Sequence, residues 1–122
     1  MRTHSISLTT FKNAYLGILT AVNTQTNMRI HFGAAASVFL LAAILKVTLT
    51  EGLILVLTVG LVMTAEMANT ALEFLADTVT LEKNEGIKHA KDVAAGGVLL
   101  AAIFSVIIGF LIFAPKIISF IV

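Results

Sequence analysis

Four oxygen-bearing side chains interrupt one of the apolar runs of this sequence, and their spacing suits a chemical site. If the run is helical, Glu66, Glu73 and Asp77 fall within an arc of roughly 40°, and Asn69 lies about 60° to one side. The preceding residues, 53–65, carry no charge, so the helix would hold its carboxylates in an apolar setting where an unpaired charge is costly. Oxygen ligands on one face suit a hard divalent cation such as Mg²⁺ better than zinc.

A structural role for the same residues is the first alternative. Glu66 could be protonated and bonded to a neighbouring helix, while Asp77 and Asn69 mediate helix association, because polar groups also hold membrane helices together. A second alternative is a non-enzymatic oligomer that conducts protons or cations along the acidic face. The pattern favours a binding site over a structural role, since four such residues share one stripe.

The composition is typical of a membrane protein. Of 122 residues, 58% are hydrophobic and 12% charged, against roughly 45–50% and 25% in soluble domains. The net charge of +1 gives no basic surface for a nucleic-acid partner, and the absence of Cys excludes disulfides and thiolate metal sites. We expect one domain, 1–122, and no cleavable leader, because the first 31 residues lack an apolar core followed by a cleavage site.

The apolar periodicity predicts an all-α membrane protein. Residues 8–23 have the spacing of an amphipathic helix, capped near Ser7 or Thr9. This helix would lie on the membrane surface or, as an equal alternative from the pattern alone, pack on the other helices. Three later runs are long enough to cross a bilayer core of roughly 30 Å, at residues 32–50, 53–77 and 93–114. Three spans supply little protein to enclose a polar stripe, so self-association is expected.

Polar segments separate these elements. Residues 23–31 form a hinge, in which Arg29 and His31 could anchor to lipid headgroups or reach a site, with anchoring the preferred interpretation. A tight turn at 48–52 joins the first two spans. Residues 78–92 form a polar cytoplasmic loop that leads to the last span, which is expected to end at Pro115-Lys116.

The distribution of Lys and Arg predicts the orientation. The residues expected on the side of the N-terminus and the 78–92 loop are Arg2, Lys12, Arg29, Lys83, Lys88 and Lys91, against Lys46 and Lys116 on the other side. Because positive charge is enriched in cytoplasmic segments, the N-terminus and the loop are expected in the cytoplasm. The acidic face then opens to the cytosol and extends inward by about 16 Å from Asp77 to Glu66.

Two blocks of sequence stand out, residues 66–77 and Ala90-Lys91-Asp92. Together they resemble the small prokaryotic integral-membrane lipid kinases, the diacylglycerol kinase and undecaprenol kinase family, and the similarity covers nearly the whole chain. Residues 27–31 and 112–116 look like the Gram-positive branch, whose substrate is chiefly undecaprenol. The resemblance implies a homotrimer with active sites shared between subunits.

The resemblance also implies roles for individual residues. Glu66 matches the family's catalytic base, which would take the proton from a lipid hydroxyl as it attacks the γ-phosphoryl of ATP, and Glu73 matches a metal ligand. The residues that match positions around the nucleotide are Asn69, Asp77, Glu82, Lys83, Asn84, Lys91 and Asp92. Gln25 stands where the family has a second metal-binding Glu, so weaker Mg²⁺ binding and reduced activity are expected.

The sequence therefore predicts an ATP- and Mg²⁺-dependent kinase of a membrane lipid alcohol in the inner (plasma) membrane of a bacterium. Undecaprenol is the expected substrate and diacylglycerol the alternative. A proton- or cation-conducting oligomer would share the buried acids but would not need the Lys91-Asp92 pair.

Overall fold

The computed structural model describes residues 7–122, whose regular structure is entirely helical. The helices are α1 (Leu8–Thr24), α2 (Thr26–Ile44), α3 (Leu49–Val79) and α4 (Glu85–Ile121). Helices α2, α3 and α4 are long and apolar enough to cross a membrane. The predicted all-α class with three helices able to span a membrane is confirmed, whereas the surface position of α1 stays a prediction. Arg2 lies outside the described residues.

Side-chain caps explain where three of the helices begin. Ser7 Oγ accepts a hydrogen bond from the Thr10 amide at 3.4 Å and caps α1. Thr48 and Glu51 form a capping box at the start of α3, with hydrogen bonds of 2.8 and 3.2 Å. Asn84 Oδ1 accepts from the amide three residues later at 3.1 Å and so begins α4.

Helical structure extends into segments that the sequence analysis treats as boundaries. Helix α2 begins at Thr26 within the expected hinge, and α4 begins at Glu85 within the expected 78–92 loop, which leaves 80–84 outside helices. Helix α4 also continues through Pro115, because one lost backbone hydrogen bond is tolerated in a long membrane helix. The polarity of these segments reflects solvent-exposed helix ends and not loop conformation.

The turn between α2 and α3 occupies residues 45–48, slightly before the expected position, because Thr48 already caps α3. The Val47 amide donates to the Ala42 carbonyl at 3.2 Å and the Lys46 amide to the Ala43 carbonyl at 3.4 Å, the pattern of a Schellman motif. Lys46 has a φ of 53°, a left-handed conformation that costs free energy in a residue with a side chain. The turn makes α2 and α3 antiparallel.

Helix α3 is central to the packing, with its largest interface against α4 and further contacts with α2 and α1. A buried apolar cluster near the α2–α3 turn contains Ala42, Leu55, Ile112 and Phe113. At the same end, Lys116 Nζ lies 2.9 Å from Glu51 Oε1 and links the last turns of α4 to the start of α3. The polar stripe of α3 lies toward the opposite end.

Candidate active site

A buried carboxylate in the middle of α3 lies next to a histidine of α2. The Glu66 side chain is 3% exposed, and its Oε2 lies 3.7 Å from Nε2 of His31, whose side chain is 21% exposed. The structure thus brings His31 to the predicted site, where the sequence analysis preferred headgroup anchoring. The sequence did contain a signal for this contact, because the two residues are almost equally far from the turn between α2 and α3. His31 precedes Thr48 by 17 residues, and Glu66 follows it by 18.

Arg29 bonds to the end of α1, and its expected anchoring to lipid headgroups stays a prediction. Its guanidinium donates to the carbonyls of Val22 and Asn23 at 3.2 and 3.3 Å and to Thr26 Oγ1 at 3.2 Å. These bonds satisfy carbonyls left free at the C-terminal end of α1. Arg29 therefore links the start of α2 to the end of α1.

The predicted stripe on α3 runs from buried to exposed. Asn69 and Thr70 are buried at 7% and 4% exposure, Glu73 is half-buried, and Asp77 is exposed. Thr70 belongs to this face, because it follows Glu66 by four residues and lies roughly 40° from it around the helix. Thr70 is neither an acid nor an amide, so the pattern of these residues did not point to it. Asn69 Oδ1 and Thr70 Oγ1 have no hydrogen-bond partner among residues 7–122.

Two ion pairs border the exposed end of the stripe. Lys91 Nζ donates to Asp77 Oδ1 at 2.7 Å and so ties α4 to α3. Lys88 Nζ donates to Asp92 Oδ2 at 2.8 Å within α4. Asp92 precedes the apolar run of α4, and the hydrogen bond from Lys88 holds the pKa of its carboxyl below its usual value. The second pair is mostly exposed, so it contributes little to stability.

A polar cavity of about 690 Å³ lies where α3 ends and α4 begins. This volume is within the range of roughly 300–1,000 Å³ that is typical of small-molecule sites. The predicted ATP-contacting residues that line it are Asp77, Glu82, Lys83, Asn84, Lys91 and Asp92. Asn69 lies roughly two helical turns deeper and does not line it. Lys88 also lines the cavity, a cation that the sequence analysis did not assign to the site.

Glu73 and Gln25 are the residues expected at a metal ion. Glu73 is half-buried on the stripe, and Gln25 is half-buried at the α1–α2 junction, where its side chain does not cap α2. Within residues 7–122, no group of three His, Asp or Glu side chains could hold a metal by itself. Mg²⁺ needs only one or two carboxylates when nucleotide phosphates complete its ligands. The oxygen donors of the stripe therefore fit Mg²⁺ bound together with ATP.

An apolar cavity of about 200 Å³ lies between α2, α3 and α4. Among the α2 residues that line this cavity, His31 is the one nearest the start of the helix, beside Glu66. Val38, Val62 and Phe113 are among the other lining residues. The Ser105 hydroxyl in the α4 wall of this cavity donates to the Ala101 carbonyl at 2.8 Å, which leaves the surface largely apolar. The cavity can accommodate hydrocarbon beside His31.

Comparison with known proteins agrees with this architecture. Residues 12–113 match the sequence profile of the prokaryotic diacylglycerol kinase family. The chain belongs to this family. It is 37% identical over 106 residues to the undecaprenol kinase of Bacillus subtilis. This alignment covers 87% of this chain and 86% of the relative. It is 42% identical over 116 residues to the diacylglycerol kinase of a Synechocystis species. This alignment covers 94% of this chain and 66% of the relative.

As a member of the prokaryotic diacylglycerol kinase family, the chain is a membrane lipid kinase, and the predicted family and enzyme class are confirmed. The structure adds His31, Thr70 and Lys88 to the residues near the predicted site. The roles of Glu66, Glu73 and the residues of the polar cavity stay predictions.

Proposed function

We propose that this kinase transfers the γ-phosphoryl group of ATP to the hydroxyl of undecaprenol, with Mg²⁺ bound beside the nucleotide. The observation that carries the proposal is the polar cavity at the Asp77–Lys91 pair, with buried Glu66 deeper on the same face of α3. Undecaprenol is preferred because the Bacillus subtilis relative, named as an undecaprenol kinase, is matched over 86% of its length. Diacylglycerol is the alternative, supported by the Synechocystis relative.

Glu66 is the proposed proton acceptor. The lipid hydroxyl must lose its proton as it attacks phosphorus, and a carboxylate within hydrogen-bond reach can take it. His31 Nε2 lies 3.7 Å from Glu66 Oε2, so the imidazole borders the proposed position of proton transfer.

The apolar cavity supports a lipid substrate. A tail lying between α2, α3 and α4 would place its polar end near His31, and therefore near Glu66. Burial of hydrocarbon stabilises such a complex by roughly 25 cal/mol for each Å² removed from water. The lipid hydroxyl would then approach Glu66 from the membrane side.

The polar cavity supports nucleotide binding. Its ammonium groups belong to Lys83, Lys88 and Lys91, and phosphoryl transfer depends on neutralising phosphate charge in a fixed geometry. The bond from Lys91 to Asp77 holds one ammonium at the exposed end of the stripe. Glu73 would hold Mg²⁺, which neutralises charge on the phosphates when bound. Gln25 would contribute only a neutral amide oxygen.

We also propose that residues 1–122 act as one domain, that the chain forms a homotrimer, and that the site faces the cytoplasm from the inner (plasma) membrane. The charges support this orientation, because Lys83, Lys88 and Lys91 lie at the site end of the bundle and Lys46 and Lys116 at the other. The half-buried Glu73 supports the trimer, since one chain leaves the stripe incompletely enclosed.

Transfer of label from γ-radiolabelled ATP to extracted lipid tests the proposed function. Purified protein in vesicles with Mg²⁺ should label undecaprenol faster than diacylglycerol, and Glu66→Gln protein should label neither. Faster labelling of diacylglycerol would reverse the substrate assignment. No labelling of either lipid, together with proton or cation flux across the vesicles, would favour the conducting oligomer.

A further inference from the structure

A further cavity, of about 600 Å³, lies at the end of the bundle opposite the polar cavity. Its walls come from the end of α2, the turn that follows, and the last turns of α4. Two of its lining residues are lysines, Lys46 and Lys116, and no carboxylate among residues 7–122 lines it. The proposed mechanism uses none of the residues of this lysine cavity.

The two lysines differ in their partners. Lys116 Nζ lies 2.9 Å from Glu51 Oε1, an oxygen that also accepts a hydrogen bond from the Thr48 amide at 2.8 Å. Lys46 is exposed and forms no ion pair with the rest of the described chain. One carboxylate therefore balances two ammonium groups, and one positive charge at the lysine cavity stays uncompensated.

Lys46 also holds its cation at a backbone position that favours glycine. Its φ of 53° is the only positive value of a residue other than glycine within 7–122, and this conformation costs free energy when a Cβ is present. Attraction to the C-terminal end of the α2 dipole accounts for a cation here, but a lysine one turn earlier would serve the dipole without strain. Residues held in such conformations cluster at ligand sites, so the strain points to a ligand of the Lys46 side chain.

The surroundings of the two cations are apolar. Ile44 and Phe120 line the same cavity and are 55% and 74% exposed, and the Ser119 hydroxyl adds a hydrogen-bond donor between them. A free phosphate ion would match the cations but would leave this apolar rim uncovered. A phospholipid matches both, because its phosphate can bind the ammonium groups while its hydrocarbon covers the rim.

We propose that the lysine cavity binds the phosphate group of an anionic phospholipid in the leaflet opposite the polar cavity, with Lys46 as the main contact. Lys46 follows α2 and Lys116 belongs to α4, so a bound phosphate links the ends of two helices that both pack on α3. A ligand of the folded state raises its stability by mass action. The bound lipid therefore stabilises this end of the bundle.

Thermal unfolding of the full chain in detergent micelles tests the proposal. Added phosphatidylglycerol should raise the thermal midpoint of the wild-type protein, and added phosphatidylcholine, which has no net charge, should not. Lys46→Gln keeps the length of the side chain and removes its charge. The phosphatidylglycerol content that gives half of the full rise should then increase about fivefold, as for the loss of one cation near an anionic lipid surface. The matched control is Lys12→Gln on α1, an exposed lysine outside the cavity, which should respond as the wild type does.

Lys46→Gly separates lipid binding from folding. It removes the strain together with the cation, so its midpoint without lipid should exceed that of the wild type while its response to phosphatidylglycerol is weaker. Equal responses of wild type and Lys46→Gln overturn the proposal, as does an equal loss in Lys12→Gln, which would indicate a general effect of surface charge. A wild-type midpoint that does not respond to phosphatidylglycerol, or that rises as much with inorganic phosphate alone, also overturns it.

Discussion

Replacement of Lys91 by alanine should raise the KM for ATP much more than the KM for lipid. Lys91 lines the polar cavity, its Nζ lies 2.7 Å from Asp77 Oδ1, and its side chain is 37% exposed. A hydrogen bond to a charged group contributes about 1.5–3 kcal/mol, and solvent screening at a partly exposed site brings the value to the lower end of this range. Since about 1.4 kcal/mol corresponds to a factor of ten, we expect an increase of about tenfold.

Initial rates at varied ATP and saturating lipid, followed by the reverse titration, measure this difference. Lys88→Ala is the matched control, because Lys88 lines the same cavity but is 66% exposed and pairs with Asp92 on its own helix. Its replacement should raise the KM for ATP less than about threefold. Equal increases for the two lysines, or an effect confined to the lipid, would refute the assignment of Lys91 to the nucleotide.

Three further predictions test other parts of the molecule. Glu66→Gln should lower kcat by about 10²–10⁴-fold without changing oligomer size in gel filtration, and substantial turnover would remove Glu66 from the role of base. Gln25→Glu should lower the Mg²⁺ concentration for half-maximal activity and raise the maximal rate, since a carboxylate adds negative charge to the metal site. Identical Mg²⁺ titrations of the two forms would place Gln25 away from the metal. Lys46→Gly should raise the free energy of unfolding by about 1 kcal/mol, and with it the thermal midpoint, because the φ of 53° suits glycine. Lys46→Ala keeps the Cβ, so its thermal midpoint should show no such gain.

Much of the helical architecture could be predicted from continuous apolar runs, but the ends of the helices could not. An exposed helical turn and a loop have the same polar composition, so residues 85–92 read as a loop although they open α4. The cap at Asn84 was the local signal that separates the two cases. Likewise, Pro115 marks the end of a helix in water, but α4 continues through it.

The candidate site was predictable where it depends on a single helix. The stripe from Glu66 to Asp77 follows from helical spacing, and the structure shows its burial gradient. The contact between His31 and Glu66 joins two helices, so it needs the position of the turn between them. The unpaired Thr70 hydroxyl depends on a side-chain rotamer, which no sequence pattern reports.

The ion pairs at the two ends of α3 relate the length of this helix to the thickness of the surrounding bilayer. Glu51–Lys116 and Asp77–Lys91 both join α3 to α4, so neither helix can slide past the other by a turn without breaking both pairs. Glu51 and Asp77 are 26 residues apart, or about 39 Å along a helix axis, close to the roughly 40–45 Å of a bilayer with its headgroups. A thicker bilayer would draw these charged pairs into hydrocarbon, and a thinner one would expose apolar surface to water. The helix pair therefore fits a bilayer of about this thickness best, and each Å of mismatch costs only a fraction of a kcal/mol.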